Sequence, residues 1–390
     1  MEMKEIRFGI IGVGGMGTTH IGFIQNIPRV KITALCDLDK AKVDALAAKY
    51  SAKAYYDGVR MMKSGDIDAV LIATPHYFHT PLAIEGFKSG VHVLSEKPIA
   101  VHKADAQKMI DAHKKNKKVL FSAMFQQRTL GIYRKLKQLL DAGEFGEVKR
   151  INWIITNWFR TQRYYDSGGW RATWGGEGGG VLLNQCPHNL DLLQWLFGMP
   201  SKVRAFCALG KYHDIEVEDD VTAYCEYPSG ATGVFITSTG DFPGTNRLEI
   251  TCDRGRVVVE DGKISFNRTE ESVSEFCKTS DKMFDGPQTW NVEVPYQETG
   301  SAPAHQKIIE NFVNAILDGS ELLVHGEEGI NSVELANAMI YSSMKDKTVT
   351  LPLDAGAYAD LLKGLVKSSK FKKKEVKPGV FDIKSSIVNK

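Results

Sequence analysis

The 390-residue chain lacks any apolar run of the roughly 18 residues that a membrane-spanning helix needs, and no positively charged start leads into an apolar secretory segment. It also lacks an excess of one charge, because 49 Lys and Arg face 47 Asp and Glu. No long-range field of one sign is therefore available to gather nucleic acid or an anionic membrane. We expect neither of these as a partner.

Cysteine is sparse and scattered along the chain. The six thiols show neither the CxxC spacing of a metal site nor the density of a disulfide scaffold. They are Cys36, Cys186, Cys207, Cys225, Cys252 and Cys277. We expect reduced thiols in a cytoplasm, with no bound metal.

The length indicates two domains, since 390 residues exceed one ordinary core. Up to about residue 122, short apolar runs alternate with helical stretches, which is typical of a parallel sheet covered on both faces. The expected strands are Ile6–Ile11, Lys31–Cys36, Ala69–Ala73, His92–Ser95 and Val119–Ser122. We assign residues 1–125 to an α/β domain of this kind.

From about residue 148 the pattern changes to strands joined by short turns, such as Pro228-Ser229-Gly230 and Asp253-Arg254-Gly255. Short turns join antiparallel neighbours, so we predict an α+β domain over residues 126–365. Residues 366–390, which include the run from Lys372 to Lys374, are predicted to form a basic, solvated tail.

A glycine motif follows the first strand. Gly12, Gly14 and Gly17, with Gly15 and Met16 between them, form GxGxxG at the start of a predicted helix. Glycine allows a tight turn and a close approach of backbone to a pyrophosphate, while the helix N-terminus supplies donors to the phosphates. The motif predicts a dinucleotide-binding Rossmann domain. The alternative is a glycine-rich turn that binds nothing.

Asp37 lies at the end of the second predicted strand, 20 residues beyond Gly17. A carboxylate there can accept hydrogen bonds from both ribose hydroxyls of NAD and would repel the 2′-phosphate of NADP. Leu38 follows where an NADP-preferring protein would usually offer Arg. NAD is therefore the expected cofactor.

Two more segments follow predicted parallel strands at their carboxyl ends, the edge where ligands of such sheets bind. One is the stretch after Ala73 and the other is Glu96-Lys97-Pro98. We expect six residues to border the cofactor, with the second histidine in a more structural role on the loop. They are Thr74, Pro75, His76, His79, Glu96 and Lys97.

A further segment begins with the glycines at 178–180 and reaches His188 and Asp191. Together with the glycine motif, Glu96-Lys97-Pro98 and His305, it resembles the glucose-fructose oxidoreductase, inositol dehydrogenase and MocA family over nearly the whole chain. The resemblance implies a second domain built on an open, mostly antiparallel sheet. It also implies a homodimer or homotetramer that forms through this sheet.

The resemblance further implies that Lys97 and His188 are catalytic. A lysine near oxidised nicotinamide, partly desolvated, should have its pKa lowered toward neutrality. It can then take the hydroxyl proton while hydride leaves the carbon, and the equivalent of His188 shares or assists this transfer. From the residues alone, Lys97 is a surface lysine and His188 is satisfied by Asp191 in a domain contact.

Asn184 departs from the pattern of many polyol-oxidising relatives, which carry Asp four residues before the histidine. An amide cannot act as a base or stabilise a charged imidazole. Asn184 either hydrogen-bonds a sugar hydroxyl or caps the helix that follows.

Aromatic and cationic residues concentrate between residues 153 and 195, which hold five of the six Trp. Aromatic faces stack on the apolar faces of pyranose rings, and Arg or Asn binds hydroxyls, so the mixture suits a carbohydrate or glycoside. Hydrophobic core is the alternative for part of it. The predicted substrate-binding residues are Arg128, Trp158, Arg160, Tyr164, Trp170, Arg171, Trp174, Asn184 and His188.

The leading hypothesis is an NAD-dependent oxidoreductase that acts on a ring hydroxyl of a sugar, a glycoside at its 3-position, or an inositol. A second is a glycoside hydrolase that oxidises the 3-carbon transiently with retained NAD and then eliminates the aglycone. A third is a non-catalytic NAD-sensing regulator. Net NADH formation separates the first from the second, and turnover of any polyol excludes the third.

Overall fold

The computed structural model describes residues 5–373 and contains two sheets. The strands are β1 Ile6–Ile11, β2 Val30–Cys36, β3 Lys53–Tyr55, β4 Ala69–Ile72, β5 His92–Ser95, β6 Phe121–Ala123, β7 Val148–Ile155, β8 Lys202–Leu209, β9 Glu218–Glu226, β10 Thr232–Ser238, β11 Asn246–Cys252, β12 Gly255–Glu260, β13 Lys263–Thr269, β14 Thr289–Glu293 and β15 Val349–Thr350. The helices are α1 Gly15–Ile24, α2 Lys40–Tyr50, α3 Gly58–Lys63, α4 His79–Lys88, α5 Lys103–Lys114, α6 Gly131–Asp141, α7 Gln162–Asp166, α8 Pro187–Phe197, α9 Val273–Thr279, α10 Ala304–Asp318, α11 Gly329–Lys345 and α12 Ala355–Ser368.

The first sheet is parallel, with strand order β3-β2-β1-β4-β5-β6. Strands β4 and β5 are short apolar runs that are buried almost throughout, as expected for strands covered on both faces. The predicted parallel α/β domain is confirmed. The sequence interpretation missed β3, because its three residues, Lys53–Tyr55, show no apolar run.

The second sheet has the order β14-β13-β12-β11-β7-β10-β9-β8-β15. Its neighbours are antiparallel except for β7 and β10, which pair in parallel. Along β9, Val221, Ala223 and Cys225 are buried while Thr222 and Tyr224 are exposed, the alternation of a sheet with one covered face. The predicted open, mostly antiparallel sheet is confirmed.

Helix α10 packs into the first core rather than the second. Ile309, Phe312 and Val313 of this helix lie in one buried cluster with the strands of the first sheet, and Phe8 meets the Phe312 ring edge-on at 6.5 Å between centroids. The division at residues 125 and 126 therefore misplaces α10, because the chain returns to the first core after building the second sheet.

The start of the predicted tail is structured. Helix α12 continues to Ser368, and Lys373 hydrogen-bonds to the backbone of a distant loop. Residues 366–368 extend α12, yet residues 366–370 and 372 are exposed, as a solvated tail predicts. The rest of the predicted tail lies outside the described residues. Across residues 5–373, no helix is both long and apolar enough to span a membrane, and no three His, Cys, Asp or Glu side chains are grouped as a metal site would require.

Candidate active site

The glycine turn between β1 and α1 is closed on one side and open on the other. Gly12 has φ +89°, and a Cβ there would lie 2.6 Å from the Ala73 carbonyl oxygen. A Cβ on Gly17 would lie 1.8 Å from the Gly12 carbonyl oxygen, so only glycine lets α1 pack this closely. A Cβ on Gly14 would meet nothing within 4 Å. Gly14 therefore marks the open side, where backbone can approach a pyrophosphate.

The first turn of α1 offers donors beside Gly14. No side chain caps this helix, whose first residues are Gly15 and Met16, and the first N–H groups of a helix have no partner within it. They are suited to phosphate oxygens. Asp37, just beyond β2, accepts the Val13 N–H at 2.8 Å, so its carboxylate borders the same turn. This position suits the ribose hydroxyls of NAD.

Thr74 and Pro75 follow β4 on the other side of the turn. The Thr74 Oγ1 atom is shielded from water and has no hydrogen-bond partner within the described part of the chain. Because buried hydroxyls nearly always have a partner, this atom is suited to a bound ligand. The glycine turn, Asp37 and Thr74 therefore fit a dinucleotide.

The two histidines after Pro75 contact protein. His79 places Nδ1 2.7 Å from the Pro98 carbonyl oxygen and Nε2 2.7 Å from the Thr74 carbonyl oxygen, which joins the two strand-end loops. Both ring nitrogens face backbone, in agreement with a structural role of His79 on this loop, and its contact with the cofactor stays a prediction. His76 lies 3.1 Å from the Glu177 carbonyl oxygen and meets the Trp170 ring edge-on, so it joins the first domain to the second. Its contact with the cofactor stays a prediction.

Lys97 lies just beyond β5 and points to the second domain. Its Nζ donates to the Asn184 carbonyl oxygen at 2.7 Å. Burial lowers the pKa of Lys97, and the Glu96 and Glu177 carboxylates oppose this only in part. A lysine in such surroundings releases its proton more readily than a surface lysine, as a proton acceptor near neutral pH must.

Glu96, the residue before Lys97, forms a buried pair with His20. Its Oε1 lies 2.6 Å from His20 Nε2, and its Oε2 accepts the Lys97 N–H at 3.1 Å. Burial alone would raise the pKa of Glu96, but the hydrogen bond and charge of His20 hold it well below its usual range. Glu96 therefore fixes the backbone that carries Lys97.

His188 lies in the first turn of α8 and is 6% exposed. Its Nε2 is 3.3 Å from the Gln126 amide nitrogen, and its Nδ1 is buried without a partner among residues 5–373. Burial lowers the pKa of His188 well below its ordinary value, and the Lys97 charge adds to this effect. The ring is therefore neutral near pH 7, and it is not paired with Asp191.

Asp191 forms an ion pair with Arg128 instead. Its Nε and Nη2 donate to the two Asp191 oxygens at 2.8 and 2.6 Å, and its Nη1 donates to Glu328 at 2.5 Å. Arg128 is 4% exposed and Asp191 is fully buried. All three guanidinium nitrogens of Arg128 bind carboxylates where the two domains meet, and its contact with substrate stays a prediction.

The predicted aromatic residues fall into two groups. Trp158 and Trp174 are buried in the second core, and Trp158 Nε1 donates to Asn189 at 3.2 Å. Protein covers most of both rings, and their contacts with substrate stay a prediction. Tyr164 and Trp170 are half-buried.

Two guanidinium groups lie over the half-buried rings. The Arg171 guanidinium is 4.5 Å from the centroid of the Tyr164 ring and 4.6 Å from that of the Trp170 ring, and the Arg160 guanidinium is 5.0 Å from that of Tyr164. These four half-buried residues form one group beside Asn184, since the Tyr164 hydroxyl donates to Asn184 Oδ1 at 3.1 Å. Their contacts with substrate stay a prediction.

Asn184 does not cap α8, which begins at Pro187 after Cys186. Its side-chain nitrogen donates to Glu177, a buried acid that the sequence interpretation missed. Burial raises the pKa of Glu177, and Arg171 opposes this. A single acid before three glycines shows no spacing or periodicity that would have singled it out. Pro187, a residue favoured in the first turn of a helix, could have located the start of α8.

Two family models match the chain. The model described as an oxidoreductase family with an NAD-binding Rossmann fold matches residues 6–124, and the model described as the GFO/IDH/MocA C-terminal domain matches residues 133–258. Inositol 2-dehydrogenase of Salmonella paratyphi B is 32% identical over 145 residues, which are 36% of this chain and 43% of that protein. Myo-inositol 2-dehydrogenase of Thermotoga maritima is 27% identical over 266 residues, 65% of this chain and 75% of that protein.

A solved structure resembles the whole fold. The WlbA dehydrogenase from Chromobacterium violaceum, in complex with NADH and UDP-GlcNAcA, is 28% identical with a TM-score of 0.77, and the match covers 91% of this chain and 98% of that one. The family models match the glycine turn, the first sheet and much of the second sheet. The chain therefore belongs to the Gfo/Idh/MocA family, and its first domain is an NAD-binding Rossmann domain.

Proposed function

We propose that the protein is an NAD-dependent oxidoreductase that acts on a ring hydroxyl of a sugar, glycoside or inositol. The contact that carries this proposal is the one between Lys97 Nζ and the Asn184 carbonyl oxygen. This contact brings an amine with a lowered pKa to Asn184, whose side chain accepts a hydrogen bond from the Tyr164 hydroxyl of the aromatic group. Inositol dehydrogenases among the relatives support the same class of substrate.

Lys97 is the proposed proton acceptor for the substrate hydroxyl. Bound NAD supplies the acceptor for the hydride that leaves the same carbon. In its neutral form Lys97 takes the hydroxyl proton, and in the reverse direction its ammonium form returns it. Glu96 holds the Lys97 backbone, and the Asn184 carbonyl oxygen orients the amine.

His188 is proposed to assist at the same hydroxyl. A neutral imidazole carries one N–H and one lone pair, so it can hydrogen-bond a hydroxyl in either direction. Gln126 contacts its Nε2, which leaves the unpartnered Nδ1 as the nitrogen for a substrate or an exchanged proton. Tyr164, Trp170, Arg160 and Arg171 are the proposed contacts to the sugar ring.

A panel of monosaccharides, inositols, sugar acids and aryl glycosides with NAD or NADP tests this function. We expect NADH absorbance to appear with at least one member, and NADP to support less turnover because the Asp37 carboxylate would repel its 2′-phosphate. Aglycone release without net NADH would replace the dehydrogenase with a glycosidase that retains its cofactor. NADH binding without turnover of any member would indicate a regulator.

We also propose that two copies associate through the outer face of the second sheet. Phe206 and Tyr224 lie on this face and are 60% and 43% exposed, while the opposite face packs against α8 and α11. Apolar side chains grouped on one exposed face are typical of an interface.

Replacing both residues with Asp should convert the dimer or tetramer to a monomer, because two charges would be buried on each side. Light scattering after gel filtration measures the mass. Phe284→Asp is the matched control, since Phe284 is 93% exposed outside the sheet face. A wild-type protein that is monomeric at micromolar concentration contradicts the proposal.

A further inference from the structure

The segment after α12 lies across the loop that carries Trp170 and Arg171. The Ser369 hydroxyl donates to Glu216, and the other oxygen of that carboxylate accepts the Trp174 N–H at 2.9 Å. Ser369 is thus joined through one carboxylate to the far end of the loop. This contact joins the segment after α12 to the loop, a few residues before the lysine run that begins at Lys372.

Lys373, the middle residue of that run, reaches the near end of the loop. Its Nζ donates to the Gly168 carbonyl oxygen and, at 2.6 Å, to the Arg171 carbonyl oxygen. The Arg171 carbonyl belongs to the same peptide group as the Ala172 N–H, which donates to Glu177 at 2.6 Å. An ammonium and a carboxylate therefore hold opposite ends of one peptide.

This peptide precedes a residue in a disfavoured conformation. Ala172 has φ +55°, in the left-handed region that a side chain with Cβ rarely adopts. Charge-assisted hydrogen bonds are the stronger kind, and one at each end of the peptide offsets the conformational cost. Without Lys373, the Arg171 carbonyl oxygen would lose its ammonium partner, and Glu177 would hold this peptide at its N–H end alone.

Hydrogen bonds also connect the Glu177 carboxylate to Lys97, the proposed proton acceptor. Glu177 accepts the Asn184 side-chain nitrogen, and the Asn184 carbonyl oxygen accepts Lys97 Nζ at 2.7 Å. A second path runs along the Arg171 side chain, which donates to the Tyr164 hydroxyl at 2.8 Å. The loop peptide is therefore linked through Glu177 to Asn184, the residue that accepts a hydrogen bond from the Lys97 amine.

We propose that Lys373 is a positioning residue of the active site. It fixes the Arg171–Ala172 peptide, and this peptide fixes the Glu177–Asn184 pair on which Lys97 and the sugar-contacting rings depend. The inference rests on the proposed function for its effect on turnover. The holding of the loop is a separate physical claim and has its own measurement.

The test compares three full-length variants with the wild-type protein. Lys373→Met removes the ammonium, Lys373→Arg keeps donors at the same place, and Lys372→Met is the control because the neighbouring Lys372 is exposed. Hydrogen exchange of a peptide covering residues 168–175 reports on the loop, and steady-state kinetics report on the site. In Lys373→Met we expect the Ala172 amide to exchange about tenfold faster and kcat/KM to fall about tenfold, mainly through KM, as one lost hydrogen bond to a charged group predicts.

Lys372→Met should match the wild-type protein in both measurements, and Lys373→Arg should recover most of the loss. Unchanged exchange in Lys373→Met would overturn the proposal that Lys373 holds the loop. Faster exchange with unchanged kcat and KM would overturn the positioning role. If the wild-type protein oxidises no member of the panel, the proposed function fails, while the exchange rates still decide whether Lys373 holds the loop.

Discussion

Replacing Lys97 with Met should lower kcat by roughly 10²–10⁴-fold on whichever sugar the wild-type protein oxidises, because the side chain can no longer accept the hydroxyl proton. NADH should still bind, since the glycine turn and Asp37 are untouched. Tryptophan fluorescence quenching by NADH measures binding, and NADH absorbance measures turnover. Lys88→Met, an exposed change at the end of α4, is the control and should keep wild-type kinetics.

The pH profile distinguishes a lost base from a disturbed fold. Because the neutral amine is the acceptor, kcat/KM for oxidation should rise with pH through the pKa of Lys97, which burial places below its ordinary value of 10.5. For the reduction, kcat/KM should instead fall as the pH rises through the same pKa. Both pH dependences should be absent in Lys97→Met. Wild-type kcat in this variant would remove the proposed proton acceptor.

Replacing Arg128 with Met should lower the free energy of unfolding by about 3–5 kcal/mol, because Asp191 would remain buried without its partner. The Arg128–Asp191–Glu328 cluster joins the turn after β6, α8 and the turn before α11. Urea unfolding followed by circular dichroism measures the loss. Glu328→Gln is the matched control and should cost less than about 1 kcal/mol, because the Glu328 side chain is 38% exposed and water can solvate what remains.

The loss in Arg128→Met should depend on pH with a definite sign. Burial raises the pKa of Asp191, and without Arg128 the main opposing influence is lost, which leaves the weaker hydrogen bond from Gln194. A carboxyl group with a higher pKa in the folded than in the unfolded chain binds protons preferentially in the folded chain. The stability of the variant should therefore decline as the pH rises above about 4, the unfolded value, until Asp191 is ionised in the folded chain. A stability deficit that is equal at pH 5 and pH 8 would contradict this account.

The parts of the fold that depend on local patterns could be predicted from the sequence. Apolar runs indicated β1 and β4, and short polar turns indicated the antiparallel neighbours β9 and β10. The parallel pairing of β7 with β10 joins segments about 80 residues apart, and no local pattern reports such a pairing. The return of α10 to the first core is non-local in the same way.

The site shows a similar division. Glycine spacing and Asp37 located the cofactor edge because each residue has a local backbone requirement. Residue type suggests Arg128 and Trp174 as substrate contacts, but it does not show that the fold pairs one with carboxylates and covers the other with core side chains. Glu177 could not be found, because its importance arises from contacts with Asn184 and Ala172 that exist only after folding.

The position of α10 has a consequence for how the chain matures on the ribosome. Phe312 and its neighbours complete the core behind the nucleotide-binding strands, and the Ser122 hydroxyl donates to the Val324 carbonyl oxygen at 2.8 Å. The first domain, residues 1–125 of a nascent chain, is thus unable to close its hydrophobic interior until the segment near Val324 has left the exit tunnel. A truncated product that ends at residue 125 would present that interior to water, and it should aggregate or require a chaperone.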